Sequence, residues 1–203
     1  MANTLNTDRK SPIGLERLVI WPITQDTSEG ITYGETPVEI KKALMTASDT
    51  PAISQATQDA DNQVVDEVCA KTGGQLTLGV TGLNSEDRVA IYGEKSDSET
   101  NITNKDDVIP YVCTAYMTKR SDGLVNLYKY PKIKFIEQQE SYETVKRDGV
   151  TFAASSLQGN YIPTVANGDA RYVRRGVDPA TDSAFIQSWF TAAATYKPTT
   201  PGV

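Results

Sequence analysis

The sequence predicts a mainly β protein with a flanking helix, in the α+β class, built as an antiparallel β-sandwich or barrel. Two observations predict this fold. Short β-prone segments recur along the 203 residues, and turn pairs such as Asp148-Gly149 separate them. One amphipathic segment near the C-terminus has helical spacing instead. Regularly spaced short strands are typical of sandwiches and barrels.

The first part of the chain predicts an arm and two strands. Residues 1–13 are polar, so we expect a loose N-terminal arm. The β-prone run from Leu15 to Ile23 predicts a buried first strand. Residues 25–34 are rich in turn residues and predict a connection. Pro37 to Ala47 predicts a second strand, which residues 48–51 interrupt.

Residues 46–73 are polar and poor in large apolar side chains, and two structures are open for them. The β-prone segments 53–58 and 64–70 flank an acidic turn, and a Gly-Gly pair at 73–74 closes the stretch. The stretch forms either a long hairpin or an extended mobile loop. Alternating apolar residues at 75–80 then predict a half-buried strand.

A short helix and a loop are predicted next. Asn84 or Ser85 precedes two acidic residues that favour a helix start, and Gly93 marks the end of the helix. Residues 94–107 are charged, lack an apolar period and predict a surface loop.

The second half of the chain predicts a meander of four strands, at 108–119, 124–130, 133–138 and 150–157, with Pro131 between the middle two. Lysines at 129, 132 and 134 alternate with aromatic residues in this region. The alternation is typical of the two faces of an exposed strand, although proteins that bind single-stranded nucleic acid also show it.

The C-terminal part predicts one helix followed by a tail. Asp178 and Pro179 suit the N-cap and the first helical position. Phe185, Trp189 and Phe190 fall on one helical face, which we expect to pack on the protein's own sheet. Residues 14–192 are expected to form one domain, and residues 193–203 a flexible tail.

Composition counts against an enzyme. The sequence has no histidine, which removes the usual general base and the commonest metal ligand. Its two cysteines, Cys69 and Cys113, are too few for a thiolate zinc site, and we expect both to be reduced and partly buried. Carboxylate or lysine chemistry stays open, but no motif supports it, so we predict no catalytic residue, no cofactor and no metal.

Charge is distributed unevenly along the chain, whose net charge is -6. Residues 1–110 hold 9 basic and 18 acidic residues, whereas residues 111–203 hold 11 and 8. An acidic surface disfavours a grip on nucleic acid, but the asymmetry suits a subunit that meets copies of itself head to tail. The sequence has neither a membrane-spanning apolar run nor a signal core, so we expect no membrane partner and assembly in a cytoplasm.

The order of motifs along the chain resembles that of the major tail proteins, or tail-tube proteins, of long-tailed, siphovirus-type bacteriophages. The resemblance covers residues 14–192, nearly the whole chain. Its motifs are the segments 14–23, 28–34, 55–61, 64–66, 110–112, 127–130, 157–161 and 188–190. Each motif is short, and the specificity lies in their order and spacing.

The resemblance implies a sandwich or barrel of the phage tail-tube type that assembles with copies of itself into stacked hexameric rings. The rings would form the conduit for genome delivery, through which double-stranded DNA passes without specific binding. Residues 46–73 and the terminal arms would join one ring to the next. The implied partners are a tail terminator, a tape measure and a distal tail protein, and the implied location is the virion tail.

Two groups of charged residues are candidates for the assembly contacts. Asp59, Asp61, Asp66 and Glu67 are candidates for an inter-ring or lumen surface; they lack the spacing and turn glycine of a calcium loop. Arg171, Arg174 and Arg175 are candidates for a subunit interface. The alternative function is a monomeric β-sandwich module that binds carbohydrate or a cell surface, since strand spacing alone does not require assembly.

Overall fold

The computed structural model of the protein describes residues 10–41, 43–60, 63–98, 100–138 and 155–191, and at 58–60 and 63–65 the backbone alone. Most of the expected arm at 1–13 and the whole expected tail at 193–203 lie outside the described residues. The division into arm, domain and tail therefore stays a prediction.

Eleven strands and two helices form over the described residues. The strands are β1 (Pro12–Thr27), β2 (Gly30–Tyr33), β3 (Val38–Ile40), β4 (Leu44–Ala60), β5 (Gln63–Val80), β6 (Lys95–Asp97), β7 (Thr100–Ile102), β8 (Val112–Arg120), β9 (Val125–Ile136), β10 (Ser155–Tyr161) and β11 (Tyr172–Val177). The helices are α1 (Ser85–Tyr92) and α2 (Ser183–Thr191). The prediction of a mainly β chain with a flanking helix is confirmed, while the tail-tube form of the fold stays a prediction.

Nine of these strands form one antiparallel sheet. Its order is β2-β1-β8-β9-β10-β5-β4, with β3 paired to β1 and β11 paired to β9. Strand β9 is central, because its first half pairs with β11, its second half with β10, and most of its length with β8. Strands β6 and β7 form a separate hairpin.

Each face of the sheet carries a buried apolar cluster, because neighbouring residues of a strand point to opposite faces. Leu18 and Ile20 of β1 join the first core, in which Ile91 of α1 also packs. Val19 and Trp21 join the second core. Helix α2 covers this second core with Trp189 and Phe190, as the stripe on its face predicts.

Three prolines lie inside strands, and two of them, Pro51 and Pro131, were predicted to interrupt or separate strands. Pro131 falls in the irregularity between Tyr130 and Ile133 of β9, where the ladder to β8 shifts and no donor is required. Pro51 lies in β4, the strand at one end of the sheet order. Pro22 lies between the part of β1 that pairs with β3 and the part that pairs with β2. The predictions of breaks at 48–51 and at Pro131 are therefore wrong.

Several predicted connections and boundaries also differ from the structure. The connection at 25–34 contains β2, the loop at 94–107 contains the β6–β7 hairpin, and the strand at 37–47 is divided between β3 and β4. These strands are short or polar and are defined by backbone hydrogen bonds. Such pairing produces no alternation of apolar residues, so the sequence pattern did not predict them. Of the strand predicted at 150–157, residues 150–154 lie outside the described residues.

The predicted N-cap is confirmed for α1 and wrong for α2. Helix α1 has the predicted Asn84 cap, whose side chain accepts from the Asp87 backbone N–H, and it ends at Gly93 in the left-handed conformation. Asp178 does not cap α2. Its carboxylate accepts from the Ala180 N–H in a separate turn, and the helix begins five residues later. Neither helix of the described chain has the length and apolar content needed to cross a bilayer.

Lys129, predicted on an exposed strand, is buried in the second core. Its side-chain Nζ lies 5.2 Å from the ring centre of Trp21 and 5.0 Å from that of Trp189, within cation–π range. The prediction is wrong because β9 is central and both of its faces are covered. Burial lowers the pKa of Lys129, against the smaller opposing effect of Cys113.

Replacing Lys129 with methionine should change how stability depends on pH. The pKa of Lys129 is below 10.5 in the folded state, so the unfolded state holds more protons as the pH approaches 10.5. The unfolding free energy of the wild type, relative to Lys129→Met, should therefore rise over this interval, by up to about 1.4 kcal/mol per pH unit. Urea unfolding from neutral pH upward measures the difference.

The exposed Lys119 provides a matched control, since Lys119→Met removes a charge with a half-exposed side chain. That variant tests whether the loss of a lysine charge at another position of the sheet gives the same pH dependence. A wild-type to Lys129→Met difference that is independent of pH would contradict the prediction.

Candidate assembly surface

Residues 51–60 and 63–72 form a projecting ribbon, here called the distal hairpin. Strands β4 and β5 pair from Leu44 and Val80 to Ala60 and Gln63, so of the two structures open for 46–73 the chain adopts the hairpin. Beyond residue 50 the ribbon extends by about 30 Å at 3.3 Å per residue. All side chains described at 51–57 and 66–72 are exposed. A two-stranded ribbon without a packed layer on either face is marginal alone, so this segment is a candidate for contact with a partner surface.

Both faces of the distal hairpin present side chains that could contact a neighbour. On one face the Gln55 side-chain amide donates to the Glu67 carboxylate, and the Cys69 sulfur lies 3.7 Å from the same carboxylate. On the other face, Ala56 pairs with Val68 across the strands. Val68 is 60% exposed. Each face therefore exposes both polar and apolar side chains, since the 60% exposed Ile53 lies on the face of Gln55.

Three of the four predicted acidic residues lie on this hairpin, but the structure does not gather them into a site. Asp66 and Glu67 are exposed, and as strand neighbours they point to opposite faces. The side chain of Asp59 and the whole of Asp61 lie outside the described residues. Within the described part of the chain, no three acidic, cysteine or histidine side chains stand close enough to hold a metal. Their inter-ring or lumen role stays a prediction.

The three predicted basic residues lie in different surroundings. The Arg171 guanidinium forms an ion pair with Asp49 of β4 inside the subunit. The Arg174 guanidinium lies 5.9 Å from the ring centre of Phe185 on α2. Arg175 is exposed on β11. Their interface role stays a prediction, for which Arg175 is the best placed of the three.

Ion pairs join the acidic first half of the chain to the basic second half within one subunit. Lys119 Nζ lies 2.5 Å from a carboxylate oxygen of Glu16, and Lys132 Nζ lies 2.6 Å from one of Asp26. The ion pair between Asp49 and Arg171 likewise joins an acidic residue of the first half to a basic residue of the second half. The two halves also interleave in the sheet, where β1 lies beside β8 and β5 beside β10. The charge asymmetry along the chain is thus partly used for internal pairing.

The Asp26 carboxylate ties the loop after β10 to β1. It accepts from Lys132 and from the backbone N–H of Val165. Burial opposes its charge, but these hydrogen bonds outweigh burial and lower the pKa of Asp26. The pair is therefore a structural tie of the second half to the first.

The base of the distal hairpin contains residues that the sequence did not single out for function. Gly73 and Gly74, predicted to close the stretch, lie inside β5, which continues to Val80. The Tyr161 ring lies over Gly74, and its hydroxyl donates to Asp49 Oδ1 at 2.8 Å. The sequence signal for this contact was the Gly-Gly pair, since glycine inside a strand indicates a bulge or the close approach of another chain segment.

Strand β4 also leaves backbone groups free to pair with another chain. It stands at one end of the sheet order and runs for 17 residues. Among the described strands, β5 is its only hydrogen-bonded neighbour. Long edge strands pair readily with a further strand, so this edge and the distal hairpin together form the candidate assembly surface.

The chain matches no protein-family model and no curated protein. Among solved structures it is similar to a chain of the anti-feeding prophage (AFP) baseplate, a cryo-EM structure with sixfold symmetry imposed. The TM-score is 0.43 and the identity 12%, over 82% of this chain and 97% of that chain. A likeness of this degree supports no conclusion about fold or function.

The two cysteines should differ in reactivity towards a thiol reagent. Cys69 is exposed on the distal hairpin, whereas Cys113 is buried, contrary to the expectation of two partly buried thiols. Burial raises the pKa of Cys113 to about 12. Mass spectrometry of the native protein should show one label at Cys69, and unfolding in denaturant should add a second. Two labels on the native protein would contradict the structure.

Proposed function

We propose that this chain is a structural subunit of a phage tail and that it assembles with copies of itself into the tail tube. The observation that carries the proposal is the distal hairpin, which is exposed on both faces and extends about 30 Å beyond the sheet. Such a ribbon becomes stable when a neighbour covers it. The resemblance of residues 14–192 to major tail proteins supports the same function.

In the proposed assembly, each subunit contacts its neighbour through two different surfaces. The distal hairpin of one copy packs on the body of the next, and the free edge of β4 pairs with a neighbouring strand. A head-to-tail contact of this kind closes into a ring when the rotation fits. Hexameric rings that stack into a tube are the arrangement that the resemblance implies.

The tube would conduct double-stranded DNA without binding it specifically. The net charge of -6 favours a surface that repels phosphate. A tail terminator, a tape measure and a distal tail protein would be the partners at the tube ends and inside it. The protein would be located in the virion tail after assembly in the host cytoplasm.

A structural role fits the chemistry of the chain better than catalysis does. The sequence has no histidine, and no group of three potential metal ligands lies together in the described residues. The alternative function, a monomeric module for carbohydrate, requires exposed aromatic rings. Among the described residues, the large exposed hydrophobic side chains are all aliphatic. This observation favours the structural subunit.

Substitution of Val68 by lysine should block tube formation and leave the subunit folded. Val68 lies on the distal hairpin and is 60% exposed, so the change should alter the unfolding free energy by less than about 0.5 kcal/mol. Lysine at an interface between copies would bury an unpaired charge. Negative-stain microscopy of concentrated protein measures the tubes, and thermal unfolding measures the subunit.

Val165→Lys is a matched control, since Val165 is also 60% exposed but lies in the loop after β10. This variant should form tubes like the wild type. The proposed role of the hairpin fails if Val68→Lys also forms normal tubes. The proposed function itself fails if the wild type forms no tubes at any concentration.

The charge contribution to assembly can be measured separately at Arg175. Replacing Arg175 by glutamate should slow tube growth, because an exposed pair contributes about 0–1 kcal/mol and a ring repeats every contact. Salt should slow wild-type growth in the same way, since the Debye length falls from about 10 Å at 0.1 M to about 3 Å at 1 M. Light scattering follows both effects.

Lys105→Glu makes a similar charge change at an exposed position in the connection after β7 and should leave growth unchanged. If Arg175→Glu and Lys105→Glu slow growth equally, the effect comes from net charge, and Arg175 is not an interface residue.

A further inference from the structure

The distal hairpin leaves the sheet at a bulge. Ala52 pairs with Gly73, but the next residue, Ile53, pairs with Lys71, so Thr72 is an extra residue in β5. The Thr72 hydroxyl donates to the carbonyl oxygen of Ala52 at 3.4 Å. A bulge bends the ribbon and increases its twist, so the direction of the distal hairpin is decided here.

Gly73 occupies the bulge because no other residue fits. Its φ angle is +134°, a conformation that side chains rarely adopt. A Cβ atom at this position would lie 2.2 Å from the carbonyl oxygen of Tyr161 on β10. The neighbouring strand therefore presses directly against the backbone of the bulge.

Gly74 lets a side chain cross its strand. A Cβ atom on Gly74 would lie 2.3 Å from the Tyr161 hydroxyl oxygen. Because that Cβ is absent, Tyr161 reaches from β10 across β5 to Asp49 on β4, where its hydroxyl donates to the carboxylate at 2.8 Å. One side chain thereby ties both strands of the hairpin to the third strand of the sheet.

Arg171 completes the network from the other side. It forms an ion pair with Asp49, whose side chain is only 15% exposed. Arg171 directly precedes β11, which is paired with the central strand β9. The Tyr161 ring is 3% exposed and packs 5.0 Å from the ring centre of Tyr130 in the first core. The contact thus connects the hairpin base to the most deeply buried part of the sheet.

We infer that Asp49, Tyr161 and Arg171, acting on the glycine pair at 73–74, set the direction in which the distal hairpin leaves the subunit. They are positioning residues, since none of them lies on the exposed part of the hairpin. Over about 30 Å, a change of about 10° at the base displaces the tip by about 5 Å, which is one strand spacing. Neighbouring copies could not dock in register after such a displacement.

This inference concerns the isolated subunit first, and its consequence for tubes rests on the proposed function. It also differs from the expectation of a mobile loop at 46–73, because the base connects to the core through a buried aromatic ring. The direction is set before any neighbour binds.

The direction can be measured by the distance between two spin labels. The exposed Cys69 carries one label on the hairpin, and Asp97→Cys carries the other on the β6–β7 hairpin, while the buried Cys113 stays unlabelled. The otherwise native protein should give a single narrow distance. Tyr161→Phe combined with Arg171→Gln keeps the ring but removes both polar contacts to Asp49, and it should broaden or shift the distance.

Glu16→Gln serves as the control, since it removes an ion pair between β1 and β8, neither of which is hydrogen-bonded to β4, β5 or β10. It should leave the narrow distance unchanged. An unchanged distance in the Tyr161→Phe, Arg171→Gln protein overturns the inference, and so does a broad distance in the protein with native residues at these positions.

Tube geometry provides the second measurement and separates this inference from the proposed function. Unlabelled Tyr161→Phe, Arg171→Gln subunits should form tubes of irregular diameter or twist, while Glu16→Gln tubes match the wild type. Loss of stability alone would lower the yield of tubes without changing their geometry. Regular tubes from the double variant overturn the positioning role. Absence of wild-type tubes contradicts the proposed function, and the label distance then decides the inference by itself.

Discussion

Strands β4 and β5 are longer than the sheet to which they belong. Their 17 and 18 residues pair with each other along nearly their whole length. Only residues 74–80 of β5 also pair with a third strand, β10. The pairing of β4 with β5 satisfies the backbone groups that face across the distal hairpin, whereas the outward-facing backbone groups and the described side chains on both faces are left in solvent. Free edges and absent burial make the hairpin the candidate surface for another chain.

The rest of the subunit holds this projection in place. The two cores lie on opposite faces of one sheet, and the first core extends to Tyr161 at the hairpin base. Ion pairs also join the acidic half of the chain to the basic half, and Asp49 with Arg171 is one of them. Charge that the sequence suggests for contacts between copies therefore also orients elements within one copy.

Local signals in the sequence predicted local structure well. The Asn84 cap and Gly93 define α1 because both act on the backbone of the same helix turn. The aromatic stripe of α2 packs on the sheet because a surface helix has one face to bury. Proline was a poor guide to strand ends, since Pro51 and Pro131 occupy an edge strand and a bulge, positions that only strand pairing defines.

The sequence by itself determined the mainly β class, the place of α1, the aromatic face of α2 and the region of the long hairpin, because each depends on residues close together in the chain. Only the tertiary structure decided that Lys129 is buried between two tryptophans, and that Tyr161 crosses a glycine to reach Asp49. These contacts join residues separated by 60 to 112 positions or depend on which strand is central. Sheet order decides both, and the order of strands in a sheet follows from the packing of the whole chain.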